Sequence, residues 1–430
     1  MTQEAVSSRW RFILKQFSRR LWVRASAIGA VGVLAAVLAT VAERFVPFDI
    51  PGSINADSVA TIRNIIASSM LAVTTFSVSA MTSAYASATS NVTPRATTLL
   101  VEDRMTQNVL STFVGSFLYG IVGIVVLQTG AYGDKGRVIL FVVTIGVIAL
   151  IVFQLLRWID HLTKLGRVGD ATDRIEDAAG RAIDARRHNP YLGGKPLATG
   201  VRTRFDSMVP VEADAIGYVQ HIDMQALSRL AERIDGEIHL LLNPGAFVHR
   251  DTVIAYLDAG KTEPHEDEDE EEDEERMDAL RYAVTVGNVR SFDQDPRFGL
   301  VVLSETAQRA LSPAVNDPGT AIDVIGRATR LLSKWSEPVE DQELKFSRVF
   351  VPALTADDLF EDAFMSIARD GAAQVEVQLR LQKCLAALSR LGNGEFRAAA
   401  RRQANLALSR AEKALPIEAD VQRLRGDLGA

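Results

Sequence analysis

The 430 residues hold one cysteine, Cys384, so no disulfide can form within the chain and a cysteine-rich metal site is excluded. Hydrophobic residues make up 47% of the chain and crowd into the first 160 positions, which sets a membrane part against a remainder of ordinary globular composition. The formal charge of −7 rests on the unbroken acidic run Glu266 to Glu275. Without it the balance is slightly basic, and nothing points to nucleic acid.

In chain order, Arg9, Arg11, Lys15, Arg19, Arg20 and Arg24 precede an uncharged stretch from Ala25 to Ala42. The basic region is too long for a signal peptide and further apolar segments follow, so a retained first span over 22–42 is expected, with its N-terminus cytoplasmic. Residues 43–60 carry Pro47, Pro51 and Gly52 and read as an outer loop. A second span is expected over 62–93, closed by Pro94, a third over 109–131, and a fourth over 138–158 ending at Arg157 and Trp158. Four crossings return the chain to the cytoplasm, so residues 1–160 form the membrane domain and both termini lie inside.

The second span is unlike a lipid-facing helix. Ser68, Ala72, Thr75, Ser79, Thr82, Ala86 and Thr89 recur at alternating spacings of four and three, which draws a small, hydroxyl-rich seam along one helical face. Such a seam serves close packing of helices, or it lines a watery path in which hydroxyls replace part of an ion's hydration shell. The candidate pore-lining residues are Ser68, Thr75, Phe76, Ser79, Thr82 and Thr89, with Phe76 as an apolar constriction and Arg63 and Arg95 at the mouths.

From 161 to 200 a helical connector is expected, broken by Asn189, Pro190, Gly193 and Gly194. Residues 201–262 read as a small α+β unit in which Asp223 caps a helix carrying Leu227 and Ala231. Residues 263–275, with no apolar side chain, read as a disordered acidic insert. Residues 276–430 read as mainly helical. Asp295-Pro296 and Asp317-Pro318 each place a capping acid before a proline at the first helical position, so each should start a helix.

Little in the chain suggests catalysis. Ala259-Gly260-Lys261-Thr262 imitates the end of a phosphate loop, but Ala255 stands where its leading glycine belongs and an acidic run replaces its helix. No zinc-protease histidine pair and no Gly-x-Ser-x-Gly elbow is present. The expectation is therefore no enzyme, no metal and no cofactor. The densest polar stretch holds Arg290, Asp293, Asp295, Asn316 and Asp317, which capping alone explains unless a ligand lies between the two helix starts.

Several blocks together resemble a known family. They are Phe76-Ser77, Thr93-Pro94-Arg95, Thr112 to Phe117, Gly217-Tyr218-Val219, Pro244-Gly245-Ala246-Phe247-Val248, Gln294 to Gly299, and Leu311-Ser312-Pro313-Ala314-Val315-Asn316-Asp317-Pro318. In order and spacing they resemble a widespread bacterial family of predicted membrane proteins bearing a domain-of-unknown-function label; the acidic run and Gly319 depart from it. The resemblance implies the bacterial inner membrane and no assigned activity. The expected fold is a four-helix transmembrane domain followed by a soluble α+β and then mainly α-helical cytoplasmic domain. The expected function is a homo-oligomeric ion channel among membrane lipids, lined by the second span, with weak anion preference. The alternative is a membrane-anchored sensor or scaffold that conducts nothing.

Overall fold

The computed structural model describes residues 56–101, 103–128, 134–198, 208–258, 269–339 and 344–427, together with the single positions Val23, Ser26, Ala27, Ala30 and Leu34. Apart from those five positions, the first expected span lies outside the described residues, as do the outer loop up to residue 55 and the Gly-Lys-Thr stretch. The chain divides into two compact units, one taking in 12–90 and 94–171, the other 172–430 with 91–93.

The first unit is built from α1 (Ala56–Asn91), α2 (Pro94–Val101), α3 (Arg104–Gln128) and α4 (Asp134–Leu162). Among the described residues three helices are long and apolar enough to cross a membrane: Ser58–Ser90, Met105–Gln128 and Leu140–Leu162. They correspond to the second, third and fourth expected spans, each longer than its uncharged core because helices run on past the apolar stretch into capping and charged residues. Ile66 and Met70 of α1 pack with Val109 and Phe113 of α3 and with Ile151 and Trp158 of α4. Close approach depends on small side chains, for a Cβ at Gly120 would stand 3.0 Å from that of Ala67. Tyr119 and Thr144 share a hydrogen bond of 3.0 Å that ties α3 to α4. Asp103 caps α3 by accepting from the Thr106 amide at 2.9 Å, and His161 Nε2 lies 3.0 Å from the same carboxylate oxygen.

The second unit begins with most of α5 (Val168–His188) and contains two sheets. Strands β1 (Gly194–Pro196), β2 (Val209–Glu212), β3 (Gly217–Ile222), β4 (Glu237–Leu240), β5 (Phe247–Val248), β6 (Val253–Asp258), β7 (Val284–Gly287) and β8 (Phe346–Val351) form a five-stranded sheet, β1-β8-β4-β6-β2, and a three-stranded one, β5-β3-β7. β8 runs parallel to both its neighbours, β1 and β4, while the remaining pairings are antiparallel. Helices α6 (Met224–Arg233) and α7 (Asp269–Ala283) contribute Leu227, Leu230 and Leu280 to a core shared with Val211, Ile222, Ile238, Leu257 and Val349. The rest is helical: α8 (Pro296–Ala310), α9 (Pro318–Ser336), α10 (Ala356–Asp370), α11 (Val375–Leu388), α12 (Gly394–Ala414) and α13 (Glu418–Asp427).

Three boundaries differ from the sequence expectation. The α+β region is not confined to 201–262, because β1, β7 and β8 complete its sheets from outside that interval. The connector is no free linker: Arg327 of α9 donates to Asp173 at 2.6 Å and to Glu176 at 2.8 Å, which fastens α5 to the helical layer. Within the acidic insert, residues 269–275 are helical rather than disordered, as the start of α7. Glutamate has good helix propensity, and Leu280 and Ala283 bury at the other end of the same helix, so packing there carries the acidic turns along.

Candidate functional site

The seam of α1 is the first candidate. Ser68, Ala72, Thr75, Ser79, Thr82, Ala86 and Thr89 are all exposed, whereas Arg63, Ile66, Met70, Ser77 and Ala88 on the opposite side are buried. Helical period alone separates the two faces, so the seam was legible in the sequence. Four of its five hydroxyls are internally satisfied: Ser68, Thr75, Thr82 and Thr89 each donate to the carbonyl four residues earlier, at 2.8–2.9 Å. Lone pairs are left facing outward. Phe76 stands beside the seam and is 65% exposed.

The two arginines expected at the mouths part company. Arg95 is exposed in the first turn of α2. Arg63 is fully buried on the packed face of α1, its guanidinium 4.2 Å from the centre of the Tyr119 ring and seated where Gly123 has no side chain. Its three nitrogens make no hydrogen bond among the described residues. A charge read as facing an opening is thus held between helices, since the same period that exposes the seam turns position 63 away from it.

The polar cluster of the second unit also divides. Arg290 bonds Asp295 through Nε at 2.8 Å and Nη2 at 2.7 Å, and Asp295 caps α8 by accepting from the amides of Arg297 and Phe298. Burial pushes the Asp295 carboxyl up, and Arg290 with the Phe298 amide pulls it back. Asp293 lies two residues away against Ser291. Asn316 and Asp317 sit beyond the other end of α8, whose 15 residues span about 22 Å, so they belong to a separate place. There Asp317 caps α9 through the Thr320 amide at 3.1 Å, and Asn316 adopts a φ of 50°.

Around Asp295 three of the sequence blocks meet. The amide of Gly245, at φ 94°, donates to Val219 at 2.8 Å, and a Cβ on Gly245 would overlap the Asp295 carboxylate, so only glycine lets the turn close over it. Gln294 clamps the backbone of Ile222, accepting from its N–H at 2.9 Å and donating to its carbonyl at 3.3 Å. One further residue was not singled out from sequence. Arg186 of α5 is 2% exposed and donates to Asn243, while its Nε and Nη1 make no hydrogen bond among the described residues. Burial pushes its guanidinium down to about 10, opposed by the nearby Asp295 carboxylate, so it stays charged at neutral pH. The signal was present: position 186 follows Ile183 by three and Ala182 by four, which puts an arginine on the buried face of α5.

Three apolar helices followed by a mixed, mostly helical unit define a membrane protein with a large part outside those helices. The chain belongs to the family described as predicted membrane protein (DUF2254), which matches residues 18–387. It is similar to the uncharacterized protein Rv1290c of Mycobacterium tuberculosis and to the uncharacterized protein Mb1321c of Mycobacterium bovis, at 27% identity over 241 residues in each case. The aligned part is 55% of this chain and 45% of either relative, so the chain spans less than half the length of these relatives. No solved structure matches it.

Proposed function

We propose that copies of this chain assemble around the exposed seam of α1 into an ion channel of the bacterial inner membrane, with the mixed unit and both termini in the cytoplasm. One contrast carries the reading. The exposed face of α4 shows Val142, Ile145, Val152, Phe153, Leu156 and Ile159, a surface suited to lipid, whereas on α1 the exposed apolar side chains Ile65, Leu71, Phe76 and Val78 flank a continuous stripe of serine, threonine and alanine. Facing both to lipid leaves the second without purpose. With Arg63 on the packed side, selectivity is weak and falls to Arg95 at the inner mouth, where a cationic ring favours anions.

The test combines geometry with conduction. In a Cys384→Ser background, cysteine at Ser79 should cross-link between copies in membranes while cysteine at Val142 should not. Purified protein should conduct in planar bilayers. Silence together with cross-linking at Ser79 would reduce the seam to a packing interface. The sensor reading, in which the second unit binds a ligand and the helices only hold it in place, is favoured by one observation of its own, the cavity at Arg186.

A further inference from the structure

We propose that the cavity beside α5 is a binding site for a small zwitterion of the amino-acid class, its carboxylate held by Arg186 and its ammonium by Asp223. The cavity measures about 310 Å³, at the lower end of the ~300–1,000 Å³ that ligand sites occupy. Arg186 of α5 and Asn189 just past its C-terminus line one side, Asp223 and Met224 at the junction of β3 and α6 another, and Phe346 of β8 a third.

The two charged groups keep complementary hydrogen-bonding capacity unused, although the Asp295 carboxylate lies near enough to act on the charge of Arg186. Arg186 and Asp223 are 2% and 3% exposed. Nε and Nη1 of the arginine and Oδ2 of the aspartate nevertheless make no hydrogen bond among the described residues. Buried groups of this kind are costly unless something pairs with them. The remaining atoms of both are engaged in ways that fix their direction: Arg186 Nη2 donates to Asn243, and Asp223 Oδ1 accepts from the Ala226 amide at 3.0 Å as the cap of α6. The clamp of Gln294 on Ile222 holds the β3–α6 junction in register.

The occupant follows from these charges. An inorganic anion satisfies Arg186 but sets its charge against Asp223 and Asp293, which also lines the cavity. A simple amine satisfies Asp223 and meets the guanidinium. A molecule that carries a carboxylate and an ammonium on one carbon frame answers both with charge-assisted hydrogen bonds. Leu192, Met224 and Phe346 supply an apolar part of the wall, beside the polar Asn189, His221, Gln225 and Gln294, and that part suits an aliphatic side chain.

The full chain in lipid nanodiscs, titrated calorimetrically, tests this without reference to conduction. The probes are L-leucine and L-methionine, 4-methylpentanoate for the carboxylate alone, and 3-methylbutylamine for the ammonium alone. The amino acids should bind saturably, at least about tenfold tighter than either single-charge analogue, and should raise the thermal midpoint. Arg186→Met and Asp223→Asn should each abolish that binding, the second while keeping a capping residue. Should Arg186→Met lower the midpoint of the unliganded protein, Arg186→Lys takes its place and must weaken binding at least about tenfold, because a point charge cannot make the fork. No binding of either amino acid at about 10 mM, equal binding of 4-methylpentanoate, or unchanged affinity in the arginine variants overturns the proposal.

Discussion

The guanidinium of Arg63 lies 4.2 Å from the centre of the Tyr119 ring, inside a helix pair whose partner helix offers Gly123 at the same level. A buried cation with no hydrogen bond among the described residues is expensive, and the ring face offsets it by only about 2 kcal/mol when desolvated. Arg63→Met should therefore leave thermal stability in detergent unchanged or raised. Tyr119→Ala should cost about 3–5 kcal/mol, the range for deleting a buried ring. A clear loss of stability in Arg63→Met would mean that the guanidinium holds a bound anion.

Asp295 is the counter-charge for Arg290 and also acts on the charge of Arg186, and it caps α8. Asp295→Ala should cost about 3–5 kcal/mol, because it strands a buried cation. Asp295→Asn, which keeps the cap, should cost less. Adding Arg186→Met to Asp295→Ala should recover part of the loss, since one uncompensated charge goes with it. Chemical denaturation of the wild type, of Asp295→Ala and Arg186→Met singly, and of the double variant measures the coupling.

What the sequence made legible was local chemistry. Asp223, Asp295 and Asp317 cap the helices that follow them because a cap and its amides lie within three residues. The α1 seam was readable for the same reason, since a period of 3.6 needs no partner. Pairings across long intervals were not: β7 joins β3 and β8 inserts between β1 and β4, and nothing at 284–287 or 346–351 names a neighbour so distant. Cys384 is half-buried in α11. The five-residue polar cluster failed because α8 intervenes, and Arg186 was missed because a charged residue in a polar helix draws no notice until its face is known.

Gly299 of α8 packs against Ala179 of α5 so closely that a Cβ there would overlap the alanine's own and stand 2.9 Å from its Cα. Alanine at this position gains up to about 1 kcal/mol in helix propensity and loses about 1–3 kcal/mol to overpacking. Because the obstacle includes backbone, the clash should win and Gly299→Ala should lower the thermal midpoint. Ala179→Gly in the same chain should restore part of it, giving a double-variant loss smaller than the sum of the single ones.

At Asp317 the Thr320 hydroxyl and amide hold the carboxyl below its ordinary range. A carboxyl depressed in the fold contributes stability that is fully present above its unfolded value, about 3.9, and is lost as pH falls through the folded value. Asp317→Asn should flatten stability against pH in that acidic window only. Asp317→Ala should cost about 0.5–2 kcal/mol at neutral pH, the range for a lost cap.

The last expectation concerns the exposed face of α1 and rests on the channel reading. Phe76 is the largest side chain beside the seam and stands among exposed Thr75, Val78 and Ser79, midway along a helix of 36 residues. In a ring of copies such side chains form an apolar constriction that closes by dewetting. Phe76→Ser should then raise the open fraction at rest, read as a standing leak in liposome flux and as longer openings in bilayers. Arg95 is the exposed charge at the start of α2, so Arg95→Glu should shift the reversal potential under a chloride gradient toward cations. Arg63→Glu should not shift it in the same way, because position 63 faces the packed side and its variant acts on folding first. Wild-type selectivity in Arg95→Glu, with no leak in Phe76→Ser, would remove the second helix from the path.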